Sequence, residues 1–143
     1  MRPEPQSLDS YPHTLTIPTR WNDNDVYGHV NNAIYYLYFD TVVNRYLVDN
    51  GLLEIGTSET VGLVVDTGCA YFAPISFPDD VVAGLRVAKL GSSSIRYEIG
   101  LFRNEETTAS AQGHFVHVYV DEKTRRPKPL SAAMKTQLAK LQA

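Results

Sequence analysis

Between Arg20 and Asn32 the chain places two carboxylates (Asp23, Asp25), an imidazole (His29) and a run of asparagine amides ending in Asn31 and Asn32 directly ahead of an apolar segment. A stretch this polar is costly to bury and makes a poor core element. It is well suited to the start of a helix, where the first backbone N–H groups have no partner within the helix and attract negative charge. A carboxylate there can act as a base or a nucleophile. The free N–H groups can stabilise an oxyanion. Asp23 to Gly28 briefly mimics a calcium-binding loop, but Tyr27 stands at a ligand position and Ile34 where the closing glutamate belongs, so no metal is expected.

The elements that must hold this loop follow from periodicity. Residues 13–19 alternate in part, through Leu15 and Ile17, and predict a short strand with Pro18 near its end. Phe39, Val42, Val43, Tyr46 and Leu47 recur at helical spacing, with Asn31 and Asn32 as caps and Asn50-Gly51 as a stop. A helix over about residues 32–49 is therefore expected. Its first two turns are apolar nearly all round, which predicts a helix wrapped by other structure. After a turn at 54–59 the period switches to two. Val61, Leu63, Val65, Thr67, Cys69 and Tyr71 would share one face of a long strand that Pro74 ends. Strands through Val81–Val87, Ile95–Leu101 and Ala109–Val120 follow, joined by polar turns, as an antiparallel meander. Ser131 would cap a short terminal helix over 131–141.

This order gives an α+β fold in which one long helix serves a whole antiparallel sheet. One helix covers one sheet face, so the other face meets solvent or a second copy, and a homodimer or homotetramer is expected. Residues 1–12 read as a loose arm ahead of a single domain over 13–143. At 143 residues, 43% hydrophobic and 20% charged, the chain can bury a core and is not of disordered type. A lone cysteine excludes an internal disulfide, and the polar, proline-bearing first twelve residues lack a secretory core. A formal charge of −3 gives no general pull toward nucleic acid or anionic lipid, and no run is long enough to span a membrane. A cytoplasmic location is the resulting expectation.

The loop resembles the signature of the hotdog-fold acyl-CoA thioesterases of the 4-hydroxybenzoyl-CoA thioesterase family. The pattern Asp-x-Asp-x-x-Gly-His-Val-Asn-Asn stands as Asp23 to Asn32. Other family-like segments are Tyr38-Phe39-Asp40 with Arg45, Cys69 to Ile75, Leu90 to Ser94, Val116-His117-Val118 and Arg125 to Leu130. The resemblance implies a sheet wrapped around a central helix and a cofactor-independent thioester hydrolase acting on acyl-CoA at a subunit interface. It implies that Asp25 is the nucleophile or general base and that backbone N–H groups near residues 31–33 form the oxyanion site. Asn31 and Asn32 would cap the helix and orient water. Asp23 would orient the loop, or bond Arg20 or His29, and His29 would bond across the loop. Lys89, Ser92 and Ser93 would meet the coenzyme A phosphates, with Arg96, Arg125 and Arg126 as further basic candidates.

Two other readings remain. Some hotdog enzymes hydrate enoyl thioesters with an Asp and a His five apart, whereas Asp25 and His29 are four apart. A non-catalytic acyl-thioester binding module is the second. His114 and His117, three apart on a strand, point to opposite faces and are not a ligand pair. Cys69 reads as inert core.

Overall fold

The computed structural model describes residues 3–54, 56 and 60–142. Strand β1 (His13–Pro18) leads into helix α1 (Ile34–Asp49), and strands β2 (Thr60–Tyr71), β3 (Asp80–Leu90), β4 (Ser94–Arg103) and β5 (Ala111–Asp121) precede helix α2 (Ala132–Ala139). The strands form one antiparallel sheet in the order β1-β3-β4-β5-β2. β3, β4 and β5 are the expected meander, and the sheet wraps α1 in the hotdog arrangement.

The helix is held by its apolar stripe. Phe39, Val42 and Val43 are fully buried, with Tyr35, Tyr38, Tyr46 and Leu47 nearly so. They meet inward residues of the sheet, among them Leu85, Ile95, Ile99, Leu101 and Phe115. Each fully buried aliphatic or aromatic side chain contributes about 1.5–3 kcal/mol. The wrap is incomplete, because Leu37, Asp40, Thr41 and Val48 stay exposed along the opposite stripe. Gly113 lets α1 approach the sheet. A Cβ there would lie 2.3 Å from the Gly68 carbonyl oxygen and 2.5 Å from Phe39 Cε2. Gly113→Ala is therefore expected to cost about 1–3 kcal/mol or more, since one contact is backbone and cannot rotate away. Thermal unfolding checks this, and a midpoint within about 2 °C of wild type would refute the close-approach account.

Several boundaries differ from those expected. The helix begins at Ile34 and not at Asn32. Ala33 is the cap residue, in helical conformation, and the Asn31 side chain accepts from the Ala33 N–H at 2.9 Å. β5 begins at Ala111. α2 is shorter than expected, with the Ser131 hydroxyl accepting from the Met134 N–H as its cap. The turn expected at 54–59 falls mostly on residues outside those described.

The alternation in β2 is interrupted. Its register against β5 shifts between Val64 and Asp66. A bulge inserts one extra residue and moves the side chains beyond it to the other face. Thr67, Cys69 and Tyr71 pair with the inward Phe115, Gly113 and Ala111, whereas Leu63 and Val61 pair with the outward Val118 and Val120. β2 is an edge strand, and Leu63, Val64 and Val65 are exposed at its middle.

The outer sheet face is partly covered. Residues 3–12, read from the sequence as a loose arm, include a helical turn at Leu8–Ser10 and are tied down by Leu8 N–H donating to the Thr107 carbonyl. The buried Tyr11 ring lies over Gly84 and Gly100 and meets Phe102 edge-on. The Arg86 guanidinium stacks above that ring at 4.9 Å and bonds Glu98 at 2.9 Å.

Candidate active site

The acidic loop folds at the N-terminal end of α1, against residues 72–79. Val30 N–H donates to the Ile75 carbonyl, and Phe77 N–H donates to Asn24 Oδ1. Inside the loop, Asp25 N–H donates to the His29 carbonyl and Gly28 N–H to the Asp25 carbonyl. Gly28 takes φ +80°, the left-handed region that a side chain disfavours, which closes the turn.

The two carboxylates have separate environments. Asp23 is wholly buried. Its oxygens accept from the Arg20 N–H at 2.9 Å, from the Arg20 guanidinium at 2.9 and 3.0 Å, and from the Tyr38 hydroxyl at 2.7 Å. Burial favours its neutral form, but these donors together outweigh burial and hold the carboxyl below its usual range. The Tyr38 hydroxyl is pushed far up, by burial first and then by its hydrogen bond to Asp23 and that carboxylate's charge. Asp23 thus has its oxygens engaged and braces the loop, bonding Arg20 and not His29.

Asp25 is half-buried, and one of its oxygens accepts from the Tyr27 N–H at 2.9 Å. The second oxygen has no protein donor among the described residues. Around it the surface is unusually apolar for a solvated loop. Val26 and Tyr27 are 94% and 82% exposed, and Trp21, 75% exposed, meets Phe77 edge-on.

Of the backbone donors expected near residues 31–33, Asn31 N–H is taken by the Asp23 carbonyl and Ala33 N–H by Asn31 Oδ1. Among the described residues, only the Asn32 N–H of these three has no acceptor. Of the three amides expected to serve an oxyanion, two are thus already engaged within the loop. The Asn32 carbonyl is anchored in turn by the Tyr71 hydroxyl at 2.9 Å. The Asn31 side chain caps the turn into the helix. The His29 imidazole is exposed; its backbone carbonyl, not its ring, makes the bond across the loop.

Asp23, Asp25, His29, Asn31 and Asn32 are therefore gathered at one end of the sheet. Lys89, Ser92 and Ser93 are not with them. Their turn joins β3 to β4 at the opposite end, where Ser92 and Ser93 carbonyls accept from Leu130 and Tyr119 N–H. β4, with 10 residues, separates the two groups by roughly 30 Å. Cys69 is half-buried, and burial pushes its thiol up to about 11, consistent with an inert role. His114 faces outward to Asp66 at 3.0 Å, and His117 faces inward beside Phe115. Tyr38 and Tyr71 brace the loop through their hydroxyls, a role that nothing in the residue spacing signals.

A family model described as the thioesterase-like superfamily matches residues 19–138. None of the curated proteins compared matches the chain. Among solved structures, the chain is similar to the PA5185 protein from Pseudomonas aeruginosa, at 47% identity and TM-score 0.95, with 97% of each chain covered. It is similar to a thioesterase from Thermus thermophilus complexed with coenzyme A and Zn, at 33% identity and TM-score 0.75, covering 93% of this chain and 96% of that one. It shares its fold with a 1,4-dihydroxy-2-naphthoyl-CoA thioesterase from Synechocystis, at 17% identity and TM-score 0.81, covering 88% and 94%.

Proposed function

The chain belongs to the thioesterase-like superfamily, and on that premise we propose that it hydrolyses an acyl-CoA thioester to a free acid and coenzyme A. The observation that carries the reading is the division of labour in the acidic loop. One carboxylate is fully engaged in bracing, and the other is half-buried with an oxygen left over, near a helix start that keeps one amide free. A coenzyme A-bound relative at 33% identity supports a coenzyme A thioester as substrate.

Asp25 serves as nucleophile or general base. As a base it takes a proton from water while the water oxygen attacks the thioester carbon. The carbonyl oxygen gains the negative charge and accepts from Asn32 N–H. Collapse breaks the C–S bond, and the departing sulfur receives the proton. As a nucleophile Asp25 forms a mixed anhydride that water then opens, to the same products. His29 and Asn32 lie on the loop where they can orient water; Asn31 holds the turn. The test is thiol release from aromatic, short and long acyl-CoAs by wild type and Asp25→Asn. No release on any substrate refutes the reading, and hydration of an enoyl-CoA in that case selects the hydratase.

The site is completed by a second copy. β2 has an open edge with Leu63, Val64 and Val65 exposed, and Lys89, Ser92 and Ser93 lie too far from Asp25 of the same chain. Antiparallel pairing of two β2 edges sets the Thr60 end of one against the Tyr71 end of the other. The Lys89–Ser93 turn of one copy then approaches the acidic loop of its neighbour, where it can meet the substrate's phosphates. Light scattering is expected to give at least twice the 16.0 kDa chain mass; a monomer at micromolar concentration overturns the interface. Lys89→Ala is expected to raise KM for acyl-CoA by roughly threefold to tenfold with kcat little changed, and an unchanged KM removes Lys89 from the site. Among the described residues no helix is long and apolar enough to cross a membrane. A cytoplasmic location belongs to the same proposal.

A further inference from the structure

Where the C-terminal half of α1 faces the start of β2 and the end of β5, a cavity of about 320 Å³ is lined by Asn44, Leu47, Leu52, Gly62, His117 and Tyr119, among others. That volume is within the range of roughly 300–1,000 Å³ typical of small-molecule sites. The cavity contains a side chain that the catalytic reading leaves unused. His117 is only 4% exposed, and neither Nδ1 nor Nε2 has a hydrogen-bond partner among the described residues. The ring is held by aromatic packing alone, stacked on Phe115 at 5.6 Å and meeting Tyr97 edge-on at 5.2 Å. Burial lowers its basicity, with the Asp40 charge opposing in part, so the ring is neutral at neutral pH. A neutral imidazole carries one donor and one acceptor, and leaving either unmet in a buried setting is costly. A leucine or phenylalanine would fill the same space without that cost.

The position of the cavity says whose site it serves. His117 pairs with Val64 toward the Thr60 end of β2, whereas the chain's own Asp25 lies beyond the Tyr71 end, roughly 23 Å further along the strand. Pairing of two β2 edges brings the cavity of one copy to the acidic loop of the other. Glu54 and Glu122 also line the cavity, which disfavours the phosphates of coenzyme A and leaves an uncharged acyl group as the fitting occupant. An uncharged hydroxyl can donate to the bare ring nitrogen or accept from the protonated one, whichever faces it.

We propose that this cavity is the acyl subsite of a second copy's active centre and that His117 is a specificity-determining residue that hydrogen-bonds a hydroxyl group carried by the acyl chain. This rests on the hydrolase reading and on the β2 pairing above. The experiment compares kcat/KM for matched pairs, hexanoyl-CoA against ω-hydroxyhexanoyl-CoA and octanoyl-CoA against ω-hydroxyoctanoyl-CoA. It uses wild type, His117→Leu and His117→Gln, alongside a titration of the wild type with p-cresol and toluene followed by the His117 imidazole nitrogen resonance. In at least one pair the wild type is expected to prefer the hydroxylated member by roughly tenfold, the range of one buried hydrogen bond. His117→Leu abolishes the preference, and His117→Gln, which keeps a donor and an acceptor, retains part of it. Equal rates within every pair overturn the proposal while the hydrolase reading stands. If no thioester is hydrolysed, the acyl assignment falls with the hydrolase reading. The p-cresol titration then decides hydroxyl recognition alone: a shift absent with toluene sustains it, and no shift removes it.

Discussion

Asp25→Asn lowers thiol release from the preferred acyl-CoA by at least about a hundredfold while leaving the unfolding midpoint where it was. The two halves of that expectation have separate physical causes. Asparagine is nearly the same shape, and its Oδ1 can still accept from the Tyr27 N–H as the carboxylate does at 2.9 Å. The loop's other ties run through backbone groups, Asp25 N–H to His29 and Gly28 N–H to Asp25, which the substitution does not touch. Nothing that holds the loop is lost, so stability is unchanged. The amide, however, cannot take a proton from water at neutral pH and is a poor nucleophile. General acid–base catalysis contributes typically about 10²- to 10⁴-fold. An activity loss without a stability loss separates catalysis from bracing. A residual rate close to wild type would show that Asp25 is only a turn residue, and parallel loss of folding would show that it is structural. The split between kcat and KM adds a check: an interaction made in the transition state lowers kcat and kcat/KM together.

How far the sequence carried this picture depends on the range of the forces involved. The meander of β3, β4 and β5 and the buried stripe of α1 were legible because alternation and helical spacing are local signatures of a single buried face. The bulge between Val64 and Asp66 was not legible. Six alternating residues from Val61 to Tyr71 look continuous, and one inserted residue changes which face they occupy without changing their types. The same holds at the site. The pattern from Asp23 to Asn32 marked the loop and the five residues gathered there. It could not distribute roles between the carboxylates, because Asp23 is defined by Tyr38, fifteen positions away, and by Arg20 folding back on it. Nor could it tell which of the amides near Asn32 would stay free, since that depends on the Asp23 carbonyl and the Asn31 side chain claiming the neighbours. The arm was missed for a related reason. Its composition is polar and proline-bearing, but one residue, Tyr11, finds room over two facing glycines, Gly84 and Gly100.

The second large effect is on stability. Asp23→Ala is expected to cost about 3 kcal/mol, because it strands the buried Tyr38 hydroxyl and the Arg20 N–H without an acceptor. The Arg20 guanidinium, 68% exposed, returns to water and adds little. In a chain of this size that amounts to a fall of roughly 10 °C in Tm. Asp23→Asn should lie between the two, since an amide oxygen can serve one donor while its NH₂ opposes the other. Acid titration tests whether the charge itself matters. The Asp23 carboxyl is held below its ordinary value in the folded chain, so the unfolded chain takes up its proton at higher pH. The ionised form's contribution is fully present above the unfolded value of about 3.9 and is lost as the pH falls through the folded value. Asp79 and Asp121 are shifted in the same direction, so acid lability of the wild type alone is not diagnostic. The difference between wild type and Asp23→Asn isolates the one group, provided both are measured by urea unfolding at each pH. That difference is expected to hold steady from neutrality down to about pH 4 and to narrow below it. A gap unchanged across the acid range would mean that Asp23 braces the loop by shape and hydrogen bonding alone, with no contribution from its charge.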